Sequence, residues 1–289
     1  MKRILSITLL SISLLMTSCA QDKDYVVTIK TEYGDMVAIL YNETPLHKAN
    51  FLKLAKEHFY DSLLFHRVID GFMIQGGDPD SKNAPAGKML GQGGPGYTVP
   101  AEINAKYFHE KGALSAARLG DNMNPSKASS GSQFYIVQGG PVNTAQLKID
   151  PIKFNEMMGT FFNNPANSTY RDSLMGFAQK NDREGYEKCL MDIKVIAEKE
   201  TGIKAERDIS PEKEKAYGSV GGTPQLDDQY TVFGKVIKGL DVIDKIAKVQ
   251  KDRSDRPVKD VRMTVSVEEV SVSEIEKLYG YKVEPAPKK

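Results

Sequence analysis

The sequence has little of what metal, redox or disulfide chemistry requires. Its 289 residues include two cysteines and four histidines, and none of these stand at the close spacing of a ligand pair. Charge of one sign is missing as well. The 39 Lys and Arg against 38 Asp and Glu leave a net charge of +1, so no field is present to attract nucleic acid. The tail "PAPKK" is too short to serve as a basic arm. No apolar run reaches the ~20 residues that cross a bilayer as a helix. The candidate, Ile4–Met16, has instead the length of an export-signal core, with Lys2 and Arg3 before it and Thr17 and Ser18 after it. What remains, at 40% apolar and 27% charged residues, is the composition of an ordinary globular protein.

Residues 1–18 are therefore expected to be a signal peptide. "LLMTSC" resembles a bacterial lipobox, with Met16 at the position usually held by leucine. This implies that Cys19 is lipidated and becomes the first mature residue, tethered through residue 24. The chain would then sit in the bacterial cell envelope, held to the membrane by that lipid. Cys189 would have no intramolecular partner, leaving the core alone to hold the fold.

A domain is expected over 25–278. "YVVTIKTEYGDMVAIL" alternates around Tyr33-Gly34 and reads as a hairpin. Thr44 and Pro45 open a helix that spaces Phe51, Leu54, Ala55 and His58 on one face, with His58 a helix-end or core residue. A second hairpin, "FHRVIDGFMIQGGD", precedes the glycine-rich loop "GKMLGQGGPGYTVP". That loop contains Gly91, Gly93 and Gly96 at dinucleotide-fingerprint spacing, but no helix opens through it and Pro95 and Pro100 bracket its end, so nucleotide binding is excluded. "GALSAAR", "SQFYIV", "QYTVFGKV" and "VRMTVSV" read as strands and "LDVIDKIAK" as a helix. Short strands with few helices are most economically closed into a barrel.

Between about 143 and 218 the period changes to helical. Tyr170, Leu174 and Phe177 share one face, as do Tyr186, Leu190, Ile193 and Ala197. "DPIKFNEMM" and "SPEKEKAY" carry helix-start signals. Three to four helices are expected in an insertion that emerges beside the strands near any site they form, where it would either shape access for larger clients or be purely decorative. Residues 279–289 are expected to be a disordered tail.

The second hairpin holds the chemistry. Asp70-Gly71 is a strong turn signal, yet Arg67 and Gln75 have no place in a core hairpin, because a buried guanidinium or amide needs a partner. Taken singly, Phe72, Met73 and Ile74 are core residues, Arg67 a surface cation, Gln133 a solvent-facing amide, and His66 and His109 structural. Taken with "GGPGYTVPAE", "GALSAAR", "GSQFYIV" and "LDDQYTVFGKV", in that order, they resemble the cyclophilins over residues 25–142 and 219–270. The resemblance implies a mainly β fold: a closed eight-stranded antiparallel barrel capped by two helices.

It implies peptidyl-prolyl cis-trans isomerase activity on proline-containing polypeptides during export, by a monomer with no cofactor or metal. Arg67 and Gln75 would be the catalytic pair, and Phe72, Met73, Ala117, Gln133, Tyr135, Leu226 and Tyr230 would bind substrate. Tyr135 stands for a phenylalanine, Tyr230 for a histidine, Gln225 for a tryptophan and Arg118 for an asparagine. Two other classes fit the same chain: a proline-peptide binding module whose insertion does the work, and a surface lipoprotein that binds a host partner. The catalytic reading also fixes a register. A two-residue turn would set Arg67 and Gln75 on opposite faces, so the connection must span Asp70, Gly71 and Phe72, pairing Arg67 with Gln75 and Ile69 with Met73.

Overall fold

A computed structural model describes residues 22–284. The expected signal peptide at 1–18, the lipidation at Cys19 and the last residues of the expected tail, 285–289, lie outside the described residues. The first strand, β1 (Lys23–Thr31), begins inside the expected tether. Lys23 pairs with Ser271 across the sheet, and Asp24 is buried against the Lys48 ammonium at 2.5 Å, so these two residues are ordered by a partner strand and an ion pair.

β1 and β2 (Gly34–Leu40) form the first hairpin. Thr31 pairs with Gly34, so the turn lies on Glu32 and Tyr33, one residue earlier than expected. The Thr31 hydroxyl decides this by donating to the Gly34 carbonyl at 2.9 Å and accepting from Tyr33 N at 3.1 Å.

Helix α1 (Pro45–Lys56) has its proline in the first turn, but the Thr44 side chain makes no cap bond. Glu102 caps it instead, accepting from Leu46 N at 3.0 Å and His47 N at 2.9 Å. A carboxylate is favoured at the positive end of a helix, and α1 has no acid of its own in its first turn. His47 joins this cap to a loop, with Nδ1 2.6 Å from Glu102 and Nε2 2.9 Å from Ser129 Oγ. Ser129 is 1% exposed, so this Ser–His–Glu row fastens structure and meets no substrate. Phe51, Leu54 and Ala55 face the core as their spacing requires. His58 does not: the helix ends at Lys56, and His58 turns into the left-handed region at φ 56° with its side chain in solvent.

β3 (Phe65–Ile69), β4 (Met73–Gly76), β6 (Ala113–Ala116), β8 (Phe134–Val137), β9 (Val232–Lys238) and β10 (Thr264–Ser271) complete the main sheet. β5 (Thr98–Val99) and β7 (Ser129–Ser130) pair separately. The eight strands run antiparallel in the order β10-β1-β2-β9-β6-β8-β4-β3. They curl around one core made of Ile29, Met36, Phe65, Ile74, Leu114, Phe134 and Ile136, sealed by Phe51 and Leu54 of α1 and by Val242, Ile243 and Ile246 of α7 (Leu240–Ala247).

The sheet is mainly β, eight-stranded and antiparallel, as expected, but the ladders do not close into the expected barrel. No strand pairing joins β3 to β10. The seam holds one isolated bridge, Leu64 with Arg262, and backbone bonds from Ser62 N to Met263 O, Phe65 N to Val261 O and Met263 N to Leu63 O, each 2.9 Å. The chain reaches this edge straight from the loop at 248–260, so only Val261–Met263 is extended beside β3.

The insertion folds into five helices rather than three or four: α2 (Thr144–Leu147), α3 (Pro151–Asn163), α4 (Ser168–Gln179), α5 (Arg183–Thr201) and α6 (Pro211–Ser219). The extra one, α2, is a single turn, too short to show a period. Asp150, Asp182 and Ser210 cap α3, α5 and α6 through their side chains. Met157, Phe161, Leu174, Ile193 and Ala197 form a core of their own, separate from that of the sheet.

A final helix, α8 (Val272–Tyr279), follows β10 in addition to the expected elements; Ser271 caps it and Ile275 buries completely. The expected disordered tail fails to begin at 279. Tyr281 and Val283 pack on Val26, Val37 and Ile39, the outer face of β1 and β2, and Asn42 donates to the Glu284 carbonyl at 2.9 Å. Covering that apolar face is the physical reason for the order.

Candidate active site

The second hairpin has the register that the catalytic reading demanded. Arg67 pairs with Gln75, Val68 with Ile74 and Ile69 with Met73. Gly71, at φ 78°, takes the left-handed position that the three-residue turn needs. Phe72 N donates to Ile69 O at 3.1 Å. Gln138 braces the turn from β8's end, accepting from Gly71 N at 2.7 Å and donating to Asp70 at 3.2 Å. A bulge at the other end of β3, between Phe65 and Arg67, lets Phe65 and His66 both bury while Arg67 stays exposed.

The pairing continues across the sheet. Gln75 faces Tyr135 on β8, which faces Ser115 on β6. Alternation along each strand sends Ile74, Ile136 and Leu114 to the core and this row to the outer face. There Met73, Ala117, Tyr135 and Val137 make a small apolar cluster with Phe72, Leu226 and Tyr230. Leu226 arrives on the short turn at Pro224–Leu226.

A cavity of about 400 Å³ opens over this cluster, lined by Arg67, Phe72, Met73, Gln75, Ala117, Tyr135, Leu226 and Tyr230. Eight of the nine expected residues therefore meet in one place. The ninth, Gln133, lines the adjoining cavity of about 600 Å³, which shares Gln75 and Ala117 with the first. The amides form a chain: Arg67 Nη1 donates to Gln75 Oε1 at 3.3 Å, Gln75 Nε2 to Gln133 Oε1 at 3.1 Å, and Gln133 Nε2 to Gly93 O at 2.7 Å. Each amide thus has both ends engaged, and the guanidinium keeps its remaining donors for the cavity.

Arg118 folds back instead of reaching across. Its guanidinium stacks 4.4 Å from the Tyr230 ring centre and bonds Gln229 O, Leu119 O and Asp121. Tyr135 and Tyr230 meet edge to face at 6.0 Å, a favoured aromatic geometry. No residue of α2 to α6 lines either cavity, so the insertion does not shape access by forming a wall.

Sequence reasoning missed one side of the cavity: residues 87–92, Asp252, Ser254 and Arg256. Arg256 is buried and ties that side together, donating to the carbonyls of Pro85 at 3.0 Å and Lys88 at 2.9 Å. No periodic pattern marks such loops; a charged residue in a loop looks solvated until its carbonyl partners are known.

His66 lines the cavity, and both of its ring nitrogens are buried without a partner. Burial pushes its pKa down to about 4, against a smaller opposing pull from Asp78. Burial also lowers His47, although Glu102 opposes the shift. The unfolded imidazole takes up its proton near pH 6.5 and the folded one only near pH 4, so stability is full above pH 6.5 and is lost as pH falls through that window. His66 alone should cost about 2 kcal/mol between pH 7 and pH 5. Denaturant unfolding at the two pH values checks this: His66→Leu should lose markedly less, and an equal loss in that variant would refute the assignment.

The result is an outward-facing apolar pocket beside a held guanidinium. The family described as "Cyclophilin type peptidyl-prolyl cis-trans isomerase/CLD" matches residues 26–154 and 217–268. A Staphylococcus epidermidis protein named as a peptidyl-prolyl cis-trans isomerase is 31% identical over 251 residues, covering 86% of this chain and 94% of the relative. A Streptococcus pyogenes protein named as a bifunctional phosphatase/peptidyl-prolyl cis-trans isomerase is 33% identical over 238 residues, 81% of this chain, but the match spans only 37% of that relative's length. Among solved structures, a Cryptosporidium parvum cyclophilin type peptidyl-prolyl cis-trans isomerase is similar at TM-score 0.48 and 20% identity, covering 86% of this chain and 98% of that one. The chain belongs to the cyclophilin-type peptidyl-prolyl cis-trans isomerases. The family match leaves out residues 155–216, most of the helical insertion.

Proposed function

We propose that this chain speeds X–Pro rotation in exported polypeptides by gripping the twisted amide between Arg67 and the apolar pocket. The single observation that carries the reading is the register that sets Arg67 beside Gln75 over Phe72, Met73, Tyr135 and Leu226. Rotation of the amide meets a barrier of about 18–20 kcal/mol because resonance is lost on twisting. No covalent bond breaks, so no nucleophile or titrating base is required. As the bond twists, the proline nitrogen becomes pyramidal and gains a lone pair. A guanidinium that is charged at every working pH donates to it.

One such bond contributes about 1.5–3 kcal/mol, well short of the roughly 8 kcal/mol that a million-fold acceleration needs. The rest comes from a pocket that fits the twisted form better than either planar isomer. Phe72, Met73, Tyr135 and Leu226 hold the pyrrolidine ring, Ala117 and Tyr230 flank it, and Gln133 meets the backbone on the side of the second cavity. Gln75 keeps the guanidinium aimed, and its neutral amide does so without competing for the charge as a carboxylate would. Proline-containing chains emerging from export are the partners, and Cys19, lipidated, holds the enzyme at the membrane of the cell envelope.

Two measurements test these readings. The full-length protein should accelerate cis-trans isomerisation of a proline tetrapeptide and refolding of a proline-limited protein; catalysis of neither would overturn the activity. Mass spectrometry of protein extracted from membranes should find a diacylglyceryl-modified Cys19 at the mature N-terminus. An unmodified Cys19 would rule out the anchor.

A further inference from the structure

The insertion lines no part of the pocket, yet one buried cluster leads from it to the pocket wall. Tyr217, on α6, is fully buried and donates its hydroxyl to the Asp227 carboxylate at 2.8 and 2.9 Å. Lys213 lies one turn earlier on the same helix, with its ammonium 2.6 Å from Asp227 Oδ2 and 5.7 Å from the Phe108 ring centre. On its other side Asp227 Oδ1 accepts from His109 N at 2.9 Å and faces His109 Nδ1 at 3.0 Å. Burial pushes the Asp227 carboxyl up, but the bonds from His109 and Lys213 outweigh it and hold the pKa below the ordinary value.

A carboxylate at Nδ1 fixes the ring proton there and leaves Nε2 as an acceptor. The Tyr135 hydroxyl, 2.9 Å from Nε2, is then the donor. The His109 ring also stacks on Tyr135, 6.0 Å between centres and 12° between planes. Every link in this row is buried or nearly so: His109 is 0% exposed and Tyr135 5%. A row of polar groups in a dry interior has few alternative arrangements, since any break strands an unpaired group.

We propose that α6 is a positioning element for the isomerase site: Tyr217, with Lys213, holds Asp227, and through His109 this fixes the hydroxyl of Tyr135 and so the aromatic wall of the pocket. The inference rests on the reading of that pocket as the X–Pro site. Asp227 also follows Leu226 directly in the chain, so the same clamp sets the turn that delivers Leu226. The insertion thereby governs the pocket's shape from behind its wall. A one-ångström misplacement behind a site is enough to lower a rate severalfold or more.

A double-mutant cycle separates positioning from simple attachment of the insertion. kcat/KM on a proline tetrapeptide is measured for the full-length protein, Tyr217→Phe, Tyr135→Phe and the double variant. Tyr217→Phe should lower kcat/KM about three- to tenfold in the parent. It should lower it less than about twofold where Tyr135→Phe has already removed the hydroxyl that the row holds. A role confined to attachment would give equal losses of activity in both, and that result, or no loss in the parent, overturns the proposal. Lys213→Met, which acts on the same carboxylate from a more exposed position, is judged by the same two numbers if Tyr217→Phe does not fold. Arg67→Ala separates the two levels of inference. Full activity there overturns the pocket assignment itself, whereas an inactive Arg67→Ala with additive Tyr217 and Tyr135 effects overturns the relay alone.

Discussion

Arg67→Ala is expected to lower isomerisation of a proline peptide about 10- to 150-fold while leaving the fold intact. The figure follows from the loss of one charge-assisted hydrogen bond, about 1.5–3 kcal/mol, at about 1.4 kcal/mol per decade of rate. The same change should alter stability by less than about 0.5 kcal/mol. Arg67 is exposed on β3 and its side-chain bond to Gln75 is 3.3 Å long. Arg67→Lys keeps the charge but loses the planar fork that reaches both Gln75 and substrate, so it should recover only part of the rate. Kinetics on a proline tetrapeptide, with circular dichroism to confirm the fold, decide the matter. Wild-type rates in Arg67→Ala would return Arg67 to the status of a surface cation.

That prediction was within reach of sequence because the information it needs is local. A strand's period of two and one glycine left two turns open, and the cyclophilin resemblance, which implies that Arg67 and Gln75 share a face, selected the three-residue one that pairs them. The helical faces of the insertion were legible for the same reason, since Leu174, Ile193 and Ala197 recur at a period that the backbone itself imposes.

Other features lie in partnerships with no local signature. The N-terminus of α1 is capped by Glu102, more than fifty residues away in sequence, while the Thr44-Pro45 signal that predicted the helix supplies no side-chain cap. The loop that closes the cavity is held by Arg256 through backbone carbonyls, and a carbonyl is the same group in every residue. The failure of the ladders to close at β3 and β10 depends on how long the chain stays extended after α7, which no pattern within Val261–Met263 specifies. Asp227 shows the difference most sharply. In "QLDDQYTVFG" it looks like one of two acidic turn residues, yet it accepts bonds from His109, Tyr217 and Lys213, whereas its neighbour Asp228 is exposed.

The neck of the insertion should be a sensitive stretch of the backbone, and Gly222→Ala should destabilise the protein by about 3 kcal/mol. Three chain segments meet here in close backbone contact. Gly222 bridges both Glu110 and Gly140, Gly222 N donates to Gly140 O at 3.1 Å and Thr223 N to His109 O at 2.8 Å. A Cβ on Gly222 would lie 2.2 Å from the His109 carbonyl oxygen, 2.6 Å from Tyr217 Cε1 and 2.8 Å from Glu110 Cα. Neither carbonyl nor Cα can rotate aside as the end of a flexible side chain would, so the segments must separate. Overpacking of this kind costs about 1–3 kcal/mol, and collision with backbone belongs at the upper end. Gly159, inside α3, makes the opposite case: a Cβ there meets nothing within 4 Å, and Gly159→Ala should stabilise by about 0.5–1 kcal/mol because alanine loses less freedom in a helix. Equilibrium unfolding in denaturant reads both signs. Because two of the three atoms struck by Gly222→Ala belong to His109 and Tyr217, its damage should extend to kcat/KM, while Gly159→Ala should leave the rate alone. A Gly222→Ala protein as stable as its parent would mean that the neck has room to yield, and that the insertion is hung on the sheet more loosely than the buried row from Tyr217 to Tyr135 requires.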